Sequence, residues 1–142
     1  MPHPHLMSLL LAGSLAALAA CVQPPSAAAS AAGLRCSAQT LSRLYFGLDT
    51  PDGPLGEDAW QAFVQEEIAP RLPTGYTLLA ARGQWRDAAG LVRQEESRVL
   101  EVVGDDGVAA RQLLAEIVGR YKQRFRQQQV LVTQLPVRAC GG

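Results

Sequence analysis

Histidine is almost missing from this chain: its two copies, His3 and His5, both stand at the N-terminus. Beyond them no imidazole is available. That excludes Ser-His-Asp and Cys-His catalysis and histidine-ligated metal sites from the rest of the chain. No G-x-G-x-x-G, Walker loop or C-x-x-C pair occurs either, so nucleotide and thiol-redox readings have no foothold. Net charge is also missing. Thirteen basic residues balance 13 acidic ones, and no attraction to nucleic acid is expected. Lysine occurs once, at Lys122; the other basic residues are arginines. Finally, no apolar run is long enough to span a bilayer. The uncharged stretch Leu6 to Ala20 would make a helix of about 22 Å, against a hydrocarbon core of roughly 30 Å.

What stands at the end of that stretch gives it meaning. Leu18-Ala19-Ala20-Cys21 combines small side chains, which fit a narrow peptidase site, with a thiol that can accept a diacylglyceryl group. Residues 1–20 therefore read as a lipoprotein signal peptide and Cys21 as the lipidation site. An ordinary secretory signal and an uncleaved anchor are the alternatives. Acyl chains contribute about 0.8 kcal/mol per buried methylene, so two or more hold a protein on a membrane. By resemblance to known lipoproteins, Val22 in place of Asp after the cysteine favours the outer membrane, facing the periplasm. Residues 21–35 read as a lipidated flexible tether. The stretch from Val22 to Leu34 is rich in Ala, Ser and Pro, and a coil of this length reaches roughly 20 Å.

Residues 36–142 read as one domain with a single core. Two cysteines remain, Cys36 before the folded region and Cys140 after it. In an oxidising compartment they are expected to form a disulfide.

Hydrophobic patterning supplies the elements. Thr40 to Leu48 alternates, with Leu44, Phe46 and Leu48 on one face and Arg43 and Tyr45 on the other, as in a half-buried strand. Thr50-Pro51-Asp52-Gly53-Pro54 is a turn cluster. From Glu57 to Leu72, Trp60, Phe63, Val64 and Ile68 fall at helical spacing. Tyr76 to Trp85 and Leu91 to Val103 read as a hairpin. Asp105 or Asp106 offers an N-cap for a long helix with Ala110, Leu113, Leu114, Ile117, Tyr121 and Phe125 on one stripe. Val130 to Val137 is a last strand. The order β-α-β-β-α-β predicts an α+β, ferredoxin-like fold: a four-stranded antiparallel sheet with two helices on one face. Its first and last strands would be antiparallel neighbours, bringing Cys36 and Cys140 together.

Leu44-Tyr45-Phe46-Gly47-Leu48, Trp60-Gln61-Ala62-Phe63, Pro70 to Thr77 (PRLPTGYT) and Ala81 to Arg86 (ARGQWR) carry a resemblance. With Glu96-Ser97-Arg98-Val99 and Tyr121 to Phe125, they make the chain similar to the bacterial family catalogued as domain of unknown function 3574, small secreted proteins and lipoproteins. The resemblance covers most of Leu41 to Val137 and implies no activity. Members often carry a Ser cap where this chain has Gly56.

Catalytic chemistry has little support. The acidic pairs Glu66-Glu67 and Glu95-Glu96 are adjacent in sequence, so their side chains point to different faces. No metal site and no cofactor is expected. The strongest candidate for ligand binding is the corner Arg82, Gln84 and Trp85 on one strand, with Arg98 on its neighbour. Arg and Gln would supply hydrogen bonds, Trp a stacking surface, and Gly83 close backbone approach. The alternative reading of that corner is a bulge at Gly83 with Trp85 capping the core. Arg43 and Glu101 are expected to pair across strands. The basic run at Arg120, Lys122, Arg124 and Arg126 reads as solvated charge at a helix C-terminus, or as a contact for anionic headgroups. The functional expectation is a non-catalytic envelope module, joined to the membrane by its lipid and to an envelope protein partner. The alternative is a small-molecule binder or enzyme with a pocket near Arg82 to Trp85.

Overall fold

Alternation along the first strand decides where the core lies. β1 (Arg35–Gly47) turns Leu44 and Phe46, both fully buried, to one side, and Arg43 and Tyr45 to the other. The computed structural model describes residues 33–86 and 89–141. The expected signal peptide, Cys21 and most of the tether lie outside them.

β1 is followed by two short strands, β2 (Asp49–Thr50) and β3 (Gly53–Pro54). The sequence here suggested only a turn. It closes into a two-residue ladder because Gly53 takes a φ of 108° and the Thr50 hydroxyl donates to its carbonyl at 2.7 Å. Helix α1 (Glu57–Phe63) starts at Gly56, which gives no side-chain cap. It continues as a π-helical turn over Val64–Ile68, where the Ala69 N–H reaches the Val64 carbonyl at 2.9 Å. Trp60, Phe63, Val64 and Ile68 are all buried.

β4 (Thr77–Arg86) and β5 (Val92–Gly104) form the predicted hairpin. Helix α2 (Val108–Phe125) buries Leu114, Ile117 and Tyr121. Its N-cap is Gly107, not an aspartate. The Asp105 carboxylate instead accepts from the Gly107 N–H at 2.7 Å, tightening the turn before the helix. β6 (Leu131–Gly141) runs four residues past the expected end. Pro136 does not stop it because β6 is an edge strand.

The sheet order is β4-β5-β1-β6, all antiparallel. The chain is thus α+β, with a four-stranded antiparallel sheet and two helices. Its path departs from a plain six-element alternation by the inserted β2–β3 ladder. Both helices pack on the face that carries Leu44, Phe46 and Leu100. Among the described residues no helix is long and apolar enough to cross a membrane.

The predicted disulfide is present. Cys36 and Cys140 face one another in the β1–β6 register and are bonded. Residues Arg35 to Gln39 pair with β6 but not with β5, so the bridge fastens a two-stranded ribbon extending past the sheet.

Aromatic rings fill the centre. Phe46 meets Tyr121 at 4.6 Å, Trp60 at 5.5 Å and Phe63 at 6.2 Å between ring centroids, and Phe125 packs 4.9 Å from Tyr121. These are tilted or edge-on arrangements favoured by the ring quadrupoles. The Tyr121 hydroxyl escapes burial without a partner by donating to the Gly47 carbonyl at 2.8 Å. Burial first, and then the charge of Glu95, raise its pKa above the usual tyrosine range, with Arg98 opposing. Because the folded state holds this proton more tightly than the unfolded chain does, its contribution is complete below about pH 10 and is lost as pH rises further. Tyr121→Phe is expected to lower stability by about 1 kcal/mol at neutral pH and to flatten the decline above pH 10. Denaturant titrations of both proteins at pH 7 and pH 10.5 check this.

Candidate functional site

The β4–β5 hairpin outruns its neighbours. β1 pairs with β5 only as far as Gly47 opposite Ser97, whereas Arg82 to Arg86 pair with Val92 to Glu96 alone. This free end carries the predicted corner, and strand alternation splits it. Arg82 and Gln84 belong to the side of the sheet that holds Leu78 and Leu100; Trp85 belongs to the opposite, open side. Arg82 is ion-paired with Glu96 at 2.5 Å and lines a recess of about 430 Å³ with Leu48, Pro54 and Leu55. Gln84 and Trp85 border a second, open groove of about 1160 Å³, which adjoins the recess at Asp49, Gln94 and Glu95. Arg98 borders neither; it is ion-paired with Glu57 of α1 at 2.8 Å. There the Glu57 carboxylate is held below its ordinary pKa by the Gln61 amide and then by Arg98. The four residues thus share no cavity. Gly83 pairs in regular register with Glu95, so it marks no bulge, and Trp85 is 53% exposed instead of capping the core.

The larger groove is built differently from the predicted corner. It runs along the end of the sheet, lined by Tyr45 and Trp85 from the open face and by Gln84 and Gln94 from the other, and Gly47 and Gly83 add no side chains to its floor. Trp85 stands on the hairpin side, and Tyr45 and Leu131 on the other. The segment Arg126 to Gln129, between α2 and β6, closes one wall. That wall is fixed by Arg126, which takes a left-handed conformation (φ 54°) and pairs with Asp52 at 2.9 Å. The Gln127 side chain donates to the Asp49 carbonyl at 2.6 Å.

Glu95 is the residue of this groove that sequence reasoning passed over. Its neighbour Glu96 turns away to Arg82, as adjacent strand positions must. The Glu95 carboxylate lies directly over Gly47. A β-carbon on Gly47 would collide with Glu95 Oε1 and come within 2.6 Å of its Cδ. The Asp49 N–H donates to Glu95 Oε1 at 3.2 Å. Only the β1–β5 register places Glu95 beside Gly47, and no local motif encodes it.

The rest of the open face sets one ion pair, flanked in its row by Thr77 and Thr133, among apolar side chains. Arg43 and Glu101 face each other in register, with Nε to Oε1 at 2.6 Å, as predicted. The contact with Glu101 raises the Arg43 pKa further. Around them Leu79, Val103, Leu131 and Leu135 are 43–52% exposed. The basic run on α2 is largely engaged: Arg124 pairs with Glu66 at 2.5 Å, Arg126 with Asp52 at 2.9 Å, and Arg120 approaches Glu67 at 3.9 Å. Among the described residues no group of three metal-ligating side chains occurs.

Residues 41–140 match the family described as "Protein of unknown function (DUF3574)", and the chain belongs to that family. No curated protein matches it in sequence. Solved structures of similar fold include a lyase and a CutA protein. A phage SAM lyase, solved in complex with S-methyl-5'-thioadenosine, aligns with a TM-score of 0.53 over 72% of this chain and 90% of its own, at 17% identity. CutA from Synechococcus elongatus aligns with a TM-score of 0.50 over 76% of this chain and 86% of its own, at 11% identity. At such identities the likeness is one of fold.

Proposed function

We propose that this member of the DUF3574 family is a lipid-anchored protein of the bacterial envelope that works as a non-catalytic interaction module. Cys21 carries the lipid, residues 22–34 form the tether, and a ferredoxin-like domain projects from the outer membrane into the periplasm. The sheet order β4-β5-β1-β6, with one helix before β4 and one after β5, supports the ferredoxin-like path, the β2–β3 ladder being an insertion. The Leu18-Ala19-Ala20-Cys21 run supports the anchor.

The observation that carries the interaction reading is the open sheet face. Leu79, Val103, Leu131 and Leu135 are exposed there, while Arg43 and Glu101 neutralise each other among them. A face of this kind suits an envelope protein with an apolar surface of its own, since no net charge has to be matched. The test is a photo-crosslinker placed at Leu131 or, as a control, at Arg111 on α2. A discrete adduct from Leu131 alone is expected. Equal labelling from both positions, or none from Leu131, would refute the reading.

The groove at Trp85 supports a second reading, a small-molecule binder. Its glycine floor and exposed aromatic wall are features of a ligand site rather than of a flat contact surface.

A further inference from the structure

Of the seven glutamates in the chain, six are ion-paired: Glu57 with Arg98, Glu66 with Arg124, Glu67 and Glu116 with Arg71, Glu96 with Arg82 and Glu101 with Arg43. Glu95 makes no ion pair with any described residue, although it is half-buried in the groove. Its carboxylate accepts a hydrogen bond from the Asp49 N–H. A partly desolvated carboxylate is stabilised by a nearby positive charge. The charge also raises the pKa of the Tyr121 hydroxyl, on the far side of Gly47.

The surroundings of Glu95 are those of a cation site. Trp85 is its diagonal cross-strand neighbour on the same face, in the row next to the Gly83–Glu95 pair. Tyr45 lies beyond Gly47 on β1 and lines the same groove. Aromatic faces and one carboxylate attract an organic cation through the ring quadrupoles and direct charge pairing. Asp49 adds a second negative group to the lining. Two arginines also line the groove. Arg126 is committed to Asp52, and Arg93 is likewise engaged. Among the described residues no three metal-ligating groups converge there, so the donor set suits an organic cation better than a metal ion.

We propose that the groove over Gly47 binds a small organic cation with a flat or apolar body. The Glu95 carboxylate neutralises the charge, and Trp85 and Tyr45 flank the body. Gly47 is required because any side chain there would displace the carboxylate. This site deepens the small-molecule reading above and rests on it.

Benzyltrimethylammonium is a suitable probe, with benzyl alcohol as its uncharged counterpart. Binding to the purified full chain in nonionic detergent is followed by the emission of Trp85; Trp60, 1% exposed, serves as the buried background. The cation is expected to give a saturable change and to bind about tenfold or more tighter than benzyl alcohol. Glu95→Gln keeps an acceptor for the Asp49 N–H but removes the charge, and is expected to weaken cation binding about tenfold while leaving benzyl alcohol unaffected. Gly47→Ala should weaken the cation similarly. Circular dichroism of both variants establishes that they are folded. Equal affinity of wild type and Glu95→Gln for the cation would overturn the proposal. Benzyl alcohol binding as tightly as the cation would overturn it while leaving the small-molecule reading standing. No saturable change with either probe would overturn both.

Discussion

Removing the Cys36–Cys140 bridge lowers the unfolding free energy by about 2–5 kcal/mol. The two cysteines are 104 residues apart in sequence, so the reduced unfolded chain regains the freedom of a very long loop. On the chain-entropy model a loop of roughly 100 residues corresponds to about 4.7 kcal/mol. The folded state loses a local restraint as well. Arg35 to Gln39 pair only with β6, and a two-stranded ribbon without a third strand is marginal alone. Guanidinium titrations of oxidised wild type and of the Cys36→Ser, Cys140→Ser double variant measure the difference. Amide exchange of the double variant should show the ribbon opening first while Leu44 and Leu100 stay protected. Coincident denaturation midpoints would contradict this account of the bridge.

Phe46→Ala removes the ring on which the helices converge. The side chain is fully buried and meets Trp60, Phe63 and Tyr121 within 6.2 Å. Both the lost transfer energy and the cavity left behind act against the fold, for an expected loss of about 3–5 kcal/mol. The rings around it come from two helices, α1 and α2, that are fixed by their own packing, so no single side chain can move in to refill the space. Domains of this size are stable by only about 5–15 kcal/mol. Phe46→Ala combined with loss of the disulfide is therefore expected to leave the chain largely unfolded at 37 °C. Leu135→Ala, on the open face, should change stability by less than about 1 kcal/mol. Thermal melts followed by circular dichroism separate these cases. A Phe46→Ala melt equal to that of Leu135→Ala would place the core elsewhere.

The fold was legible wherever side-chain periodicity carried it. The alternation at Leu44, Phe46 and Leu48 located the buried face of β1, and the stripe Leu114, Ile117, Tyr121 located that of α2. The cysteines were legible through topology, since neighbouring first and last strands bring Cys36 to Cys140. Arg43 and Glu101 were legible because each stood on the open face of its own strand. Backbone detail was less visible. The π-helical turn after Phe63 and the ladder at Asp49 to Pro54 depend on tertiary packing and on one positive φ. The candidate site was legible only as a neighbourhood. Arg82, Gln84 and Trp85 are consecutive enough to suggest a cluster, yet the two-residue period of a strand sends Trp85 to one side and the others to the opposite one. Glu95 needed the register. Nothing local in Gln94-Glu95-Glu96 tells which glutamate meets Arg82 and which lies over Gly47.

The anchor is the premise on which the envelope reading depends, and the intact mass of the protein purified from membranes tests it most directly. The expected species begins at Cys21, carries a diacylglyceryl group with or without a further acyl chain, and gains the mass of two hydrogen atoms on reduction as the bridge between Cys36 and Cys140 opens. A soluble chain that retains residues 1–20 and bears no lipid would contradict it.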